Sequence, residues 1–188
     1  MRSLTMIVLI ILVVLILIGA WIMSVYNKLV QLLNFVNEGW SGIDIQLKRR
    51  YDLIPNLVET VKGYSIHEKS VLENVTKLRS VAMDAKSLTE KTEAEAGLTS
   101  ALKTLFAVSE NYPELKANEN FLSLQKTLSA IEDEIQLSRR YYNGAARNFN
   151  IAVTVFPTNI IARAIGFNKV PFFEAKEAEK EVQKVKFD

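Results

Sequence analysis

The sequence predicts an all-α protein, in which an N-terminal transmembrane helix continues into a long antiparallel four-helix bundle. Three observations predict it. The twenty residues Leu4–Met23 carry no formal charge. Downstream, apolar residues recur in alternating steps of three and four, the spacing of one helix face. Only seven Gly and four Pro punctuate 188 residues. We divide the chain into an anchor (1–25), a helical bundle (26–156), and a C-terminal apolar loop with a short helix and charged tail (157–188). The length suits one ordinary domain with an appendage.

Leu4–Met23 reads LTMIVLIILVVLILIGAWIM. At about 1.5 Å per residue it spans roughly 30 Å, the thickness of a bilayer's hydrocarbon core. A helix there satisfies its own backbone groups, as lipid demands. Trp21 and Tyr26 sit at its C-terminal end, where amphipathic aromatics favour the headgroup boundary. A cleaved signal peptide fits less well. Its apolar core is usually about 7–15 residues and precedes a small-x-small site, whereas Gly19-Ala20 here leads into bulky Trp21, Ile22 and Met23. Flanking charge leaves orientation near a tie, with Arg2 on one side and Lys28, then Lys48, Arg49 and Arg50, on the other.

Tyr26, Leu29, Leu33, Val36, Trp40, Ile43, Leu47, Arg50, Ile54, Leu57, Val61 and Tyr64 form one heptad seam, with Arg50 its only charged member. The phase holds across Pro55, so we expect one long helix to about Tyr64, kinked around residues 51–54. A second helix from near His67 aligns Val71, Val75, Leu78, Ala82 and Ala85. A third opens at Ser87-x-x-Glu90, a capping box, and runs through Leu98, Leu102, Leu105 and Tyr112 to Pro113. Asn118 caps a long fourth helix that carries Phe121, Leu128, Ile131, Ile135, Tyr142 and Phe149 and ends at Pro157.

Helices one and four are about twice as long as two and three. Up-down-up-down connection therefore leaves their membrane-proximal halves facing each other with little else over them. Tyr26, Leu33, Trp40, Tyr142 and Phe149 make the expected interaction face, since exposed apolar surface of that kind takes a partner. Setting Tyr64 beside Asn118 puts Arg50 opposite Glu132, Asp133 and Glu134, an expected register-fixing salt bridge. Past Pro157, Thr158–Ile165 is one or two helical turns. The apolar segment around Ile160, Ile161, Phe167, Phe172 and Phe173 then has two readings: it folds back over the open half of the bundle, or it touches the bilayer interface with Arg163 and Lys169 near headgroups. Glu174–Asp188 mixes charge signs, as a solvated helix or frayed tail does.

Much chemistry is excluded. There is no Cys, so disulfides, thiolate catalysis and Cys-built metal centres are out. With a single His, His67, the paired Glu-x-x-His ligands of a di-metal bundle are absent; it reads as a turn or cap residue beside Glu68. No Gly-rich phosphate loop or G-x-S-x-G elbow occurs. Lys48-Arg49-Arg50 would suit phosphate or acidic lipid but reads first as a solvated helix face. With 23 basic and 21 acidic residues, no polyanion-binding balance exists, and we expect no nucleic acid partner. We assign no catalytic, cofactor or metal residue.

The string Gln46-Leu47-Lys48-Arg49-Arg50-Tyr51-Asp52-Leu53-Ile54-Pro55-Asn56-Leu57-Val58 resembles the LemA family, as do Val61-Lys62-Gly63-Tyr64, Tyr112-Pro113-x-Leu115-Lys116-Ala117-Asn118, Arg139-x-Tyr141-Tyr142-Asn143, Phe156-Pro157 and Phe172-Phe173-Glu174. The resemblance implies a bacterial membrane protein with one N-terminal span, an antiparallel helical domain on the cytoplasmic side, and a link to envelope stress or quality control beside a membrane protease. No catalytic residues come with it. Together these readings lead us to expect a non-enzymatic, single-pass scaffold or adaptor of the cell membrane. It would contact the lipid bilayer, self-assemble as a homo-oligomer, and bind membrane or envelope proteins. The alternative is a lipid-interacting membrane-remodelling or membrane-stress module.

Overall fold

A computed structural model describes residues 2–64 and 68–173 of the chain. His67 and the Glu174–Asp188 tail, read above as a cap residue and a charged helix, lie outside the described residues. Among those described, every regular element is helical: α1 (Arg2–Lys62), α2 (Lys69–Asp84), α3 (Leu88–Ser109), α4 (Pro113–Lys116), α5 (Glu119–Thr154) and α6 (Thr158–Ile165). The chain divides into two compact units. One takes the residues up to Trp40 with Tyr141–Phe172, and the other takes Ser41–Arg140 and the chain from Phe173.

In the second unit, the seam residues Ile43, Leu47, Ile54, Leu57 and Val61 of α1 are buried, as are Val75 and Ala82 of α2, Leu98 and Leu105 of α3, and Phe121, Leu128, Ile131 and Ile135 of α5. Cross-helix contacts give the directions. Asp44 meets Lys91 at 2.5 Å and Arg50 meets Thr99, so α3 runs parallel to α1. Tyr64 accepts from Asn118 at 2.9 Å while Arg50 meets Glu132, so α5 runs antiparallel to it. The Ser87 hydroxyl accepts from the Glu90 amide while the Glu90 carboxylate accepts from the Ser87 amide, closing the capping box expected at α3. Asn118 caps α5 through the Phe121 amide at 3.0 Å.

Two boundaries differ from the sequence expectation. The third helix ends at Ser109 and not at Tyr112; Pro113, which has no amide to leave unsatisfied, opens the separate short α4 that buries Leu115. The fourth ends at Thr154, three residues before Pro157.

α1 continues through Pro55, and another helix explains how. Proline at 55 has no N–H for the carbonyl of Tyr51, four residues back. That carbonyl accepts instead from Arg79 Nε of α2 at 2.7 Å. A donor from a neighbouring helix thus replaces the missing intrahelical one.

In the first unit, Leu4, every residue from Met6 to Ile18, and Trp21–Met23 are exposed large apolar side chains. Here α1 is long and apolar enough to cross a membrane, with a mean hydropathy of 3.3 over its most apolar window. Val25, Leu29 and Val36 are buried with Tyr142, Ala146, Phe149, Val153, Ile161 and Ala162. At Gly39 α1 and α5 come close together: a Cβ on it would lie 2.9 Å from the Tyr142 Cα. Gly166 ends α6 with φ +88°, the left-handed cap that glycine adopts at no steric cost, and its amide returns to the Arg163 carbonyl.

Candidate functional site

Two groups of residues carry the side chains that sequence reasoning singled out. The first is the expected interaction face. Tyr142 and Phe149 are buried, at 4% and 1% exposure, so they do not form an open apolar stripe. Trp40 packs edge-on to Tyr142 with ring centroids 5.8 Å apart, Leu33 is half-buried, and Tyr26 keeps 43% of its surface exposed. The expected face is corrected accordingly, because the segment after α6 folds back over it.

Hydrogen bonds hold that segment. Asn150 donates through Nδ2 to the Val170 carbonyl at 2.9 Å and accepts from the Val170 amide at 2.8 Å, clamping one residue of extended chain at both backbone groups. Tyr142 donates to the Pro171 carbonyl at 2.8 Å. Phe167 lies between Phe149 (6.1 Å) and Tyr26 (6.4 Å). Covering rings as large as these stabilises the fold by roughly 2–3 kcal/mol apiece, which offsets the entropy of ordering the loop. Burial also pushes the Tyr142 phenol above its ordinary pKa.

The same fold-back corrects part of the expected membrane-proximal group. Ile161 and Phe173 are buried, and Phe167 is half-buried. Phe173 lies in the second unit beneath the Arg139 guanidinium, 4.4 Å from its ring centroid, a cation–π contact. Only Ile160 (59%) and Phe172 (40%) of that group remain exposed.

The second group surrounds Arg50, which is 1% exposed. Its Nη1 lies 2.7 Å from Glu132 Oε2 and donates to Thr99 Oγ1 at 3.1 Å. Its Nη2 pairs with the Glu95 carboxylate, which is fully buried on α3. Asp133 and Glu134, the other two carboxylates of the sequence window, are exposed. Gln136 donates to the second Glu132 oxygen at 3.1 Å. The Tyr51 hydroxyl donates to Glu95 and lies 3.3 Å from the Ala82 carbonyl oxygen, tying α2 into the same cluster.

Burial, opposed chiefly by Glu132, lowers the Arg50 pKa from its ordinary value. The guanidinium nonetheless stays charged, because arginine starts so far above neutrality. Burial pushes the Tyr51 phenol up to about 12, against the pull of Arg50. The positive charge and the carboxylates are thus engaged with one another, which locks register and leaves no free acid–base pair. A cavity of about 280 Å³ lies alongside, lined by Arg50, Thr99, Leu102, Lys103, Phe106 and Glu132 among others. Among the described residues no group of three or more His, Asp or Glu is placed to hold a metal.

Sequence reasoning missed Glu95, Tyr51 and Thr99. A signal for Glu95 was present: stepping back three from Leu98 in the Leu98–Leu102–Leu105 seam lands on it. A lone carboxylate there complements the lone arginine in the seam of α1. Tyr51 and Thr99 gave no comparable signal.

The LemA family model matches residues 39–187, beginning past the apolar stretch. Protein LemA of Metamycoplasma hominis is 30% identical over 158 residues, covering 82% of this chain and 71% of that protein. Magnetosome protein MamQ 2 of Paramagnetospirillum magneticum is 25% identical over 179 residues, covering 81% of this chain and 66% of its own. Magnetosome protein MamQ of Magnetospirillum gryphiswaldense is 24% identical with the same coverage. The chain spans just under two thirds of the length of these two magnetosome relatives.

Proposed function

The chain belongs to the LemA family, and from that premise we propose that it is a non-enzymatic, single-pass membrane scaffold whose helical domain binds protein partners and further copies of itself. The observation that carries this reading is the exposed apolar stretch Leu4–Met23 at the head of α1, the same helix whose later residues enter a bundle locked by buried charge. The first part has the length and composition of an anchor. In the second part the buried ionisable groups hold helices together, so what remains for function is surface.

The relatives named as magnetosome proteins support a role at a membrane. The bundle lies on the cytoplasmic side of the cell membrane in this reading, and the partners are membrane or envelope proteins. Because Tyr142 and Phe149 are covered, the self-contact falls to side chains still exposed, such as Phe35 and Ile45 on α1 and Leu122 and Leu137 on α5. Helix faces of this kind dock by burying apolar anchors at helical spacing.

Affinity capture of the full-length protein from solubilised native membranes, followed by mass spectrometry, tests the reading. It predicts a reproducible set of membrane or envelope proteins that is lost when exposed apolar residues such as Ile45 and Leu137 become Glu. Recovery of the bait alone, at natural abundance and in mild detergent, contradicts it.

A further inference from the structure

The first unit leaves a second apolar surface that the scaffold reading does not use. At the corner joining α5 to α6, Phe156 is 75% exposed, Ile160 59%, Val155 52% and Ile165 46%. Buried Ile161 and Ala162 hold α6 down by its other face. This corner has a definite level along α1. Val155 and Thr158 line one groove, of about 420 Å³, with Val25 and Lys28. Phe167 lies against Tyr26. The exposed corner therefore sits at the end of the apolar stretch, within about two helical turns of Trp21, which is itself 42% exposed.

Charge marks the same place. Across residues 1–40 and 141–172 the sequence holds the cations Arg2, Lys28, Arg147, Arg163 and Lys169 but one acid, Glu38. The other 20 of the chain's 21 acids lie elsewhere. Lys28, Arg147, Arg163 and Lys169 are all exposed. Exposed apolar side chains in a unit whose described residues carry exposed cations and a single acid match the chemistry of an anionic bilayer surface, which takes apolar groups at the acyl boundary and Lys or Arg at the phosphates.

We propose that the α5–α6 corner is a second membrane contact: Val155, Phe156 and Ile160 insert at the bilayer interface while Lys28, Arg163 and Lys169 bind anionic lipid headgroups. The contact is continuous with the span, and the proposal rests on Leu4–Met23 crossing the bilayer. It gives the first unit a fixed stance against the membrane, because a span alone leaves that unit free to rotate and tilt. The lipid-facing set differs from the one expected from sequence, since Ile161 and Phe173 turn inward and the corner takes their place.

The absence of Cys from the chain makes the test direct. Single cysteines at Phe156, Ile160, Leu12 and Leu122 are labelled with an environment-sensitive fluorophore. The full-length protein is placed at one copy per nanodisc, in phosphatidylcholine alone or with phosphatidylglycerol. Leu12 reports the anchor, and Leu122, an exposed apolar position of the second unit, is the reference for one outside the corner.

The labels at 156 and 160 should be quenched by lipid-borne nitroxides and shielded from iodide several-fold relative to Leu122, more strongly with the anionic lipid. Removing Arg163 and Lys169 as Arg163→Gln and Lys169→Gln should cut the anionic enhancement by about five-fold in partitioning per basic residue, leaving only the share of Lys28. All the positions are exposed, so folding is not at stake. Lipid quenching at Leu12 with none at 156 or 160 overturns the proposal while leaving the anchor intact. Equal shielding with and without phosphatidylglycerol overturns its headgroup half. Absence of quenching at Leu12 itself removes the premise on which both readings stand.

Discussion

Replacing Arg50 by methionine keeps most of the side chain's volume and deletes the charge that Glu95 depends on. Glu95 has no exposed surface, and its remaining partner would be the Tyr51 hydroxyl. Removing one member of a buried ion pair costs about 3–5 kcal/mol, because the other is left charged out of water. At about 2–4 °C per kcal/mol for a chain of this size, Arg50→Met should lower the unfolding midpoint by roughly 6–20 °C. Glu132 has a third of its side chain in solvent, so Glu132→Gln should cost only about 1 kcal/mol. The double variant Arg50→Met/Glu95→Leu removes both buried charges and should recover most of the loss, since an apolar pair of similar volume is often as stable as the ions it replaces. Thermal unfolding of the full chain in detergent micelles, followed by circular dichroism, reads wild type, these three variants and the single variant Glu95→Leu. An Arg50→Met midpoint within a degree of wild type, or a double variant that falls by the sum of its singles, would refute the reasoning.

Gly39→Ala puts a methyl group 2.9 Å from the backbone of α5; overpacking of about 1–3 kcal/mol should exceed the gain of up to about 1 kcal/mol in helix propensity, so the midpoint falls. Arg79→Ala orphans the Tyr51 carbonyl and should cost about 1–3 kcal/mol. The loss should shrink in a Pro55→Ala background, where the restored amide serves that carbonyl, and equal losses in both backgrounds would count against the substitution of donors. The Tyr51 phenol is raised in the folded state from 10.0 to about 12, so the folded protein holds that proton more tightly than the unfolded chain. Its contribution is full below about pH 10 and is lost as pH rises toward 12; the stability difference between wild type and Tyr51→Phe should stay level from pH 7 to 9 and then fall.

What the sequence disclosed was whatever repeats or acts locally. The apolar stretch, the heptad seam of α1, the Ser87–Glu90 box and the Asn118 cap depend on residues within a few positions of one another, and each lies where the pattern puts it. The seam carried further: antiparallel pairing from Tyr64 and Asn118 put residue 132 opposite Arg50, and the ion pair with Glu132 lies there.

What stayed hidden depends on contacts between distant residues. The sequence left fold-back and bilayer contact both open for the last described segment; Asn150 clamping Val170 and Tyr142 reaching Pro171 hold it over the aromatic stripe, and neither pair has a period to betray it. The donor that serves the Tyr51 carbonyl in place of the residue 55 amide, Arg79, belongs to another helix and so left no local signal. Gly39 gave no signal in the sequence, because what makes it tight is the backbone of α5.

Cysteine crosslinking in native membranes tests the scaffold reading most directly. Single cysteines at Phe35, Ile45 and Leu137, expressed at natural abundance, should give discrete crosslinked species, homodimeric or joined to a membrane protein, at one or more of these exposed helical positions. Monomer alone at every position, with the same cysteines readily labelled by a water-soluble maleimide, would contradict the account.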